Sequence, residues 1–167
     1  MIIRAACLGL CLLLAACTAR TPLPSAAPPL SAPLPLALQI EREQGDQQQS
    51  WWLVVQAEGQ ALRWSLFDPL GVPLARQLLE NGTWRADGLL PPNDEARELF
   101  AALLFAVTPA EALTEGYAPS AWQALAGGQR WLAPHWRIDY LAPLDFTLHR
   151  AEGPRYRVHA LADHEIP

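Results

Sequence analysis

The sequence predicts an α+β fold: one strongly curved antiparallel sheet of about eight strands, its apolar face covered by two or three short helices. Three observations predict it. Between Leu36 and Asp87, apolar and polar residues alternate with a period of two, interrupted by short turn signals. From Asn93 to Val107 the period lengthens to that of a helix. Beyond Gly127-Gly128 the alternation returns. Turns are short throughout, so neighbouring strands should pair antiparallel.

Taken in order, Leu36, Leu38 and Ile40 share one face of a first strand. Trp51, Leu53, Val55 and Ala57 share a face of the second, with Trp52 and Val54 on the other side. A strand apolar on both faces is central or covered. Glu58-Gly59-Gln60 turns into a third strand, where Leu62, Trp64 and Leu66 oppose Arg63 and Ser65. Asp68-Pro69-Leu70-Gly71 ends it; Leu70 either folds back onto the core or sits at a loop tip. Residues 72–80 form a fourth strand, Asn81-Gly82 a two-residue hairpin turn, and residues 83–87 a fifth strand carrying Trp84 inward.

Pro91-Pro92 closes the strand region, and Asn93 is suited to cap a helix. Asp94, Glu95 and Glu98 lie in its first turns, where the helix dipole favours acids, which explains them before any catalytic pairing does. Ala96, Leu99, Phe100, Leu103, Leu104 and Val107 follow helical spacing, and residues 101–107 are apolar all round, so this stretch is buried on all sides or lines a cavity. Thr108-Pro109-Ala110-Glu111 reads as a capping box opening a second short helix. A third is expected over residues 121–126, stopped by Gly127-Gly128. Three strands follow, carrying Trp136, Ile138 and Tyr140, then Phe146 and Leu148, then Tyr156 and Val158 inward.

The N-terminus carries an address. Arg4 precedes an apolar run of about ten residues, too short to span a bilayer, and then small residues at a cut site. Leu14-Ala15-Ala16-Cys17 resembles a bacterial lipobox. It implies removal of residues 1–16, acylation of Cys17 and anchoring by several chains, which hold firmly where one holds marginally. Thr18 rather than Asp after the cysteine implies transport to the outer membrane. An ordinary secretory signal would instead leave Cys17 as an unpaired thiol in an oxidising space. Cys7 and Cys11 leave with the signal, so the mature chain has no disulfide, no cysteine metal site and no cysteine nucleophile. Residues 17–35, rich in Pro and Ala, read as an extended, semi-rigid tether, and residues 36–167 as the domain.

All twelve basic residues are Arg; without Arg4 the mature charge is −6. The arginines are scattered, so no nucleic-acid footprint is present. Seven Trp suggest a Trp-rich core, or a wall for lipid or another flat apolar ligand. His135, His149, His159 and His164 show no metal-ligand spacing, and there is no Gly-x-Ser-x-Gly elbow or Gly-rich phosphate loop. No catalytic residue, metal or cofactor is expected.

The lipobox, five early strands, the Pro69-Leu70-Gly71 turn between the third and fourth, the covering helices and the late strands resemble the LolA/LolB superfamily. Leu70-Gly71-Val72-Pro73-Leu74 running to Asn81-Gly82, and Leu90-Pro91-Pro92 leading to Leu103-Leu104-Phe105-Ala106-Val107-Thr108-Pro109, look more closely like a small lipoprotein family encoded beside aryl-polyene pigment genes. The resemblance implies an incomplete β-barrel with a helical lid, holding acyl chains in its concavity. It implies a membrane-inserting role for Leu70, the residue that matches the protruding Leu of the LolB turn.

Trp64, Leu66, Trp84, Trp136, Ile138, Phe146 and Leu148 would line the cargo wall, with Phe100, Leu103 and Leu104 in the lid. The expected partners are the outer-membrane bilayer through acylated Cys17, a hydrophobic lipid-like cargo and a periplasmic LolA-like carrier, with the protein itself a monomer. The competing expectation is a non-enzymatic assembly factor, docking to an exporter or carrier with a fully packed core and no cargo.

Overall fold

The computed structural model describes residues 20–161. The signal segment, Cys17 and His164 lie outside the described residues. Ten strands form one antiparallel sheet: β1 (Leu36–Gln44), β2 (Gln47–Glu58), β3 (Ala61–Phe67), β4 (Pro73–Glu80), β5 (Thr83–Ala86), β6 (Trp122–Ala124), β7 (Arg130–Leu132), β8 (Trp136–Ala142), β9 (Asp145–Arg150) and β10 (Arg155–Ala160). Between β5 and β6 run the helices α1 (Asp94–Val107) and α2 (Ala110–Gly116). The spatial order is β5-β4-β3-β2-β1-β10-β9-β8-β7-β6, so the sheet does not close and the first and last strands pair at its centre.

Antiparallel pairing sorts the connections between the two ends of the sheet. Residues 45–46, 68–72, 87–93, 133–135 and 151–154 leave from one end, which also holds the start of α1. Residues 59–60, 81–82, 125–129 and 143–144 leave from the other.

Helix α1 begins as its sequence requires: the Asn93 side chain accepts from the Ala96 N–H at 2.9 Å. From Leu99 to Val107 all nine residues are buried. The apolar sheet face covers one side, with Leu38, Ile40, Leu53, Trp64, Trp136, Phe146 and Tyr156 in the same cluster as the helix. Burying a large aliphatic or aromatic side chain contributes about 1.5–3 kcal/mol, so this cluster dominates the stability of the described residues, which contain no cysteine.

Three expectations are corrected. The strands number ten, not eight, because residues 121–126 are not a helix. Trp122–Ala124 instead pairs with Arg130–Leu132 as a hairpin on the sheet edge, and Gly127 (φ 71°) and Gly128 (φ 78°) supply its left-handed turn. Six residues are too few for a self-supporting helix, while an open edge offers ladder bonds at once.

The Thr108–Glu111 capping box does not form. The Thr108 hydroxyl donates back to the Leu104 carbonyl at 2.6 Å and the residue ends α1, so α2 starts at Ala110 with Pro109 at its N-cap and no side-chain cap. Finally, residues 21–35 are extended but not a free tether. Leu23, Leu30, Ala32 and Leu34 pack on the core cluster. The Ser25 N–H donates to the Gly116 carbonyl at 3.0 Å and the Ser31 N–H to the Val107 carbonyl at 2.7 Å. The packed unit therefore begins at Thr21, and this strap is tied to the C-terminal ends of both helices and, through Thr21, to Trp136 of the sheet.

Candidate functional site

Leu70 is held outward by the turn beneath it. The Asp68 carboxylate accepts from the Leu70 N–H at 2.9 Å and the Val72 N–H at 2.8 Å. The Asp68 carbonyl accepts from the Gly71 N–H and the Asp68 N–H donates to the Val72 carbonyl, both at 3.0 Å. Gly71 sits at φ 81°, which an L side chain rarely adopts. These bonds rigidify the tip, and Leu70 is left 89 % exposed with Val72 beside it at 52 %. A single exposed Leu is ordinary. An exposed Leu on a turn tied at four points cannot retract by a small loop adjustment.

The ten residues expected to form wall and lid come together on the inner face. Trp64, Leu66, Trp136, Ile138, Phe146 and Leu148 belong to one cluster with Phe100, Leu103 and Leu104, all but fully buried. Trp64 and Phe100 lie 5.6 Å apart between ring centroids, Trp84 and Phe100 5.8 Å, and Trp64 and Trp84 meet edge to face at 5.7 Å. Trp84 is only half-buried and borders a groove of 240 Å³ shared with Thr21, Leu23 and Ala101. Leu66 reaches a second groove of 180 Å³ beside Trp51 and Leu74. The lid residues belong to α1, which packs directly on the wall. The Nε1–H groups of Trp64 and Trp84 are buried without a hydrogen-bond partner, an arrangement that destabilises a site left as it is.

Few polar bonds fix α1 against the sheet. At its start Glu95 accepts from Arg42 Nε at 2.6 Å and from the Tyr156 hydroxyl at 2.7 Å. Burial acts to raise the Glu95 pKa, but the hydrogen bonds from Arg42 and Tyr156 prevail and hold the carboxyl below its usual range. The same burial, with Glu95 adjoining, pushes the Tyr156 hydroxyl well above its ordinary value. At the far end the Tyr140 hydroxyl donates to the Ala106 carbonyl at 2.9 Å, and Arg130 donates to the Thr108 carbonyl at 2.8 Å while lying 4.9 Å from the Tyr140 ring. Burial pushes Tyr140 up to about 12, against the opposing pull of Arg130.

Reading the sequence missed Arg42, Tyr156 and Thr21 as fastening residues. Arg42 alternates in phase with Leu36, Leu38 and Ile40, which was the available signal for an inward charge. His149 does not simply face solvent: its Nε2 lies 2.8 Å from the Asp139 carboxylate, and burial lowers its pKa despite that neighbour. Among the described residues, no three metal-ligating side chains converge, and no helix is long and apolar enough to cross a membrane. No protein-family model matches the chain, and no curated protein matches its sequence.

Proposed function

We propose that this chain is an outer-membrane lipoprotein, anchored through acylated Cys17 and facing the periplasm, that receives a hydrophobic lipid-like cargo and helps insert it into the outer membrane. The observation that carries the reading is the rigid presentation of Leu70, an apolar side chain on a turn whose four hydrogen bonds keep it in solvent. An apolar tip fixed in water is favoured by contact with an apolar phase.

In this reading the open sheet is an incomplete barrel in its closed state, with α1 in the place of cargo. Residues 99–107 of the helix are apolar and buried on every side, so an acyl or polyene chain can replace them against the wall once the bonds of Glu95 to Arg42 and Tyr156 and of the Ala106 carbonyl to Tyr140 open. Lipoprotein acyl chains and an aryl-polyene lipid share that chemistry, and a LolA-like carrier is the natural donor. Transfer requires no nucleotide and no covalent step.

The burial of every wall residue but Trp84 favours a second reading, an assembly factor that docks to an exporter or carrier and holds nothing. The mature chain, with Cys17→Ser and a secretory signal, distinguishes the two when purified from its host. Native mass spectrometry followed by organic extraction should find a bound lipid or polyene. A clean apo mass, with no uptake of a fluorescent acyl probe, would transfer the assignment to the docking factor.

A further inference from the structure

We infer that a basic pocket beside the start of α1 binds a phosphate group, and that its source is a lipid headgroup of the membrane that carries the anchor. The pocket, 410 Å³ in volume, is walled by Arg20, Arg97, Arg150 and His135, with Asp94 and Glu98 at its side. Among the described residues, none of the three arginines forms an ion pair, although most of the other arginines do or bond a carbonyl. Nε of Arg97, Nε of Arg150 and Nε2 of His135 are buried without a hydrogen-bond partner. Guanidinium groups left unpaired around one cavity are the donor set that recognises phosphate.

The wall is built rather than incidental. Arg150 lies over the Trp136 ring, 5.2 Å from its centroid, and Trp136 donates from Nε1 to the Thr21 hydroxyl at 2.9 Å. The Thr21 N–H donates to Glu98 at 3.1 Å, and its hydroxyl donates to the same oxygen. This chain of contacts holds one Glu98 carboxylate oxygen on Thr21, and neither Arg97 nor Arg150 forms an ion pair with Glu98.

Placement argues for the lipid source. Pro134-His135, the end of β9 at Arg150 and the start of α1 lie at the same end of the sheet as the Leu70 tip. Arg20 stands three residues after Cys17 in the chain. An apolar tip and a cationic pocket on one end, with the proposed anchoring residue close in sequence to Arg20, fit a surface of phosphate headgroups. The lipid source rests on the proposed membrane role; the phosphate site does not.

The test uses the full mature chain with Cys17→Ser, which removes only the acyl attachment. Flotation on phosphatidylcholine vesicles, alone or mixed with phosphatidylglycerol, reads headgroup binding, and isothermal titration with inorganic phosphate reads the site directly. Arg97→Gln should weaken both by about tenfold, because each lost hydrogen bond to a charged group is large. Arg157→Gln, an exposed site on β10 with the same loss of charge, should change neither by more than about twofold. Arg150→Gln, checked for an unchanged melting temperature, should repeat the Arg97 result.

Loss of phosphate binding with unchanged vesicle binding would support the site and assign its ligand to solution. Equal losses for Arg97→Gln and Arg157→Gln, or no phosphate binding by the parent chain, would overturn it. A Leu70 variant that still floats while Arg97→Gln does not would separate failure of the tip from failure of the pocket.

Discussion

Shortening Leu70 to Ala isolates the apolar contact that the proposed membrane role depends on. Leu70 is 89 % exposed, so nearly its whole side chain is available for transfer into a bilayer. The substitution removes three carbons, at about 0.8 kcal/mol each on burial, for roughly 2.4 kcal/mol in total. With about 1.4 kcal/mol per decade, affinity for vesicles should fall about 50-fold, an upper value that assumes full insertion. The folded state loses no packing and the Asp68 turn keeps its backbone bonds, so stability should change by less than about 0.5 kcal/mol.

The measurement is flotation of the Cys17→Ser mature chain on vesicles, paired with urea unfolding of the same samples. Leu70→Glu, which adds the desolvation of a carboxylate, should abolish binding and, in the host, delivery, while leaving fold and cargo uptake intact. Vesicle binding by Leu70→Ala equal to that of the parent would refute the reasoning, as would normal delivery by Leu70→Glu.

Two further outcomes test the strap and the helix fastening. Gly82 sits at φ 68°, and a Cβ there would lie 2.7 Å from the Pro24 carbonyl oxygen, so Gly82→Ala should destabilise by about 1–3 kcal/mol and speed proteolysis within residues 21–35; an unchanged cleavage rate would show the strap to be independent of this turn. Because its folded pKa is depressed, Glu95 contributes stability that is fully present above its ordinary value of 4.5 and is lost as pH falls through the lower folded value. Glu95→Gln should therefore cost on the order of 1 kcal/mol at pH 7, kept small because the carboxylate side is 41 % exposed, and the gap to the parent should close on acidification; a gap constant down to pH 3 would contradict the pairing.

Long alternation made the central sheet legible. Leu36-Leu38-Ile40 and Trp136-Ile138 repeat often enough for one face to be assigned, and all of them lie in the core. Strands β6 and β7 have three residues each, too few to display a period, and exist because the edge of β8 is present to pair with. The Pro-rich run reads as extended whether free or docked; docking depends on Leu23, Leu30 and Leu34 meeting clefts formed by distant residues. Thr108 had two local options, capping forward or bonding back to Leu104, and the continuing helix made the second available first. The wall and lid residues could be named from periodicity, but not that the lid would pack directly on the wall. The basic pocket was invisible because Arg20, Arg97, His135 and Arg150 are brought together only by the packing of α1 and the strap on the sheet.

The central pairing of the two terminal strands orders events in time. Strands β1 to β5 can assemble by successive hairpins as soon as they emerge, and so can β6 to β10. The joint between the halves, running from Leu38 opposite Ala160 to Glu43 opposite Arg155, waits for the last part of the chain to be made. Until then β1 presents a bare edge backed by Leu36, Leu38 and Ile40, the kind of surface that invites pairing with other chains. Such late, distant closure slows folding and lengthens the interval in which a chaperone would be useful. A chain cut short before Arg155 would lose no outer strand; it would be left as two half-sheets with an open seam through the middle of its core.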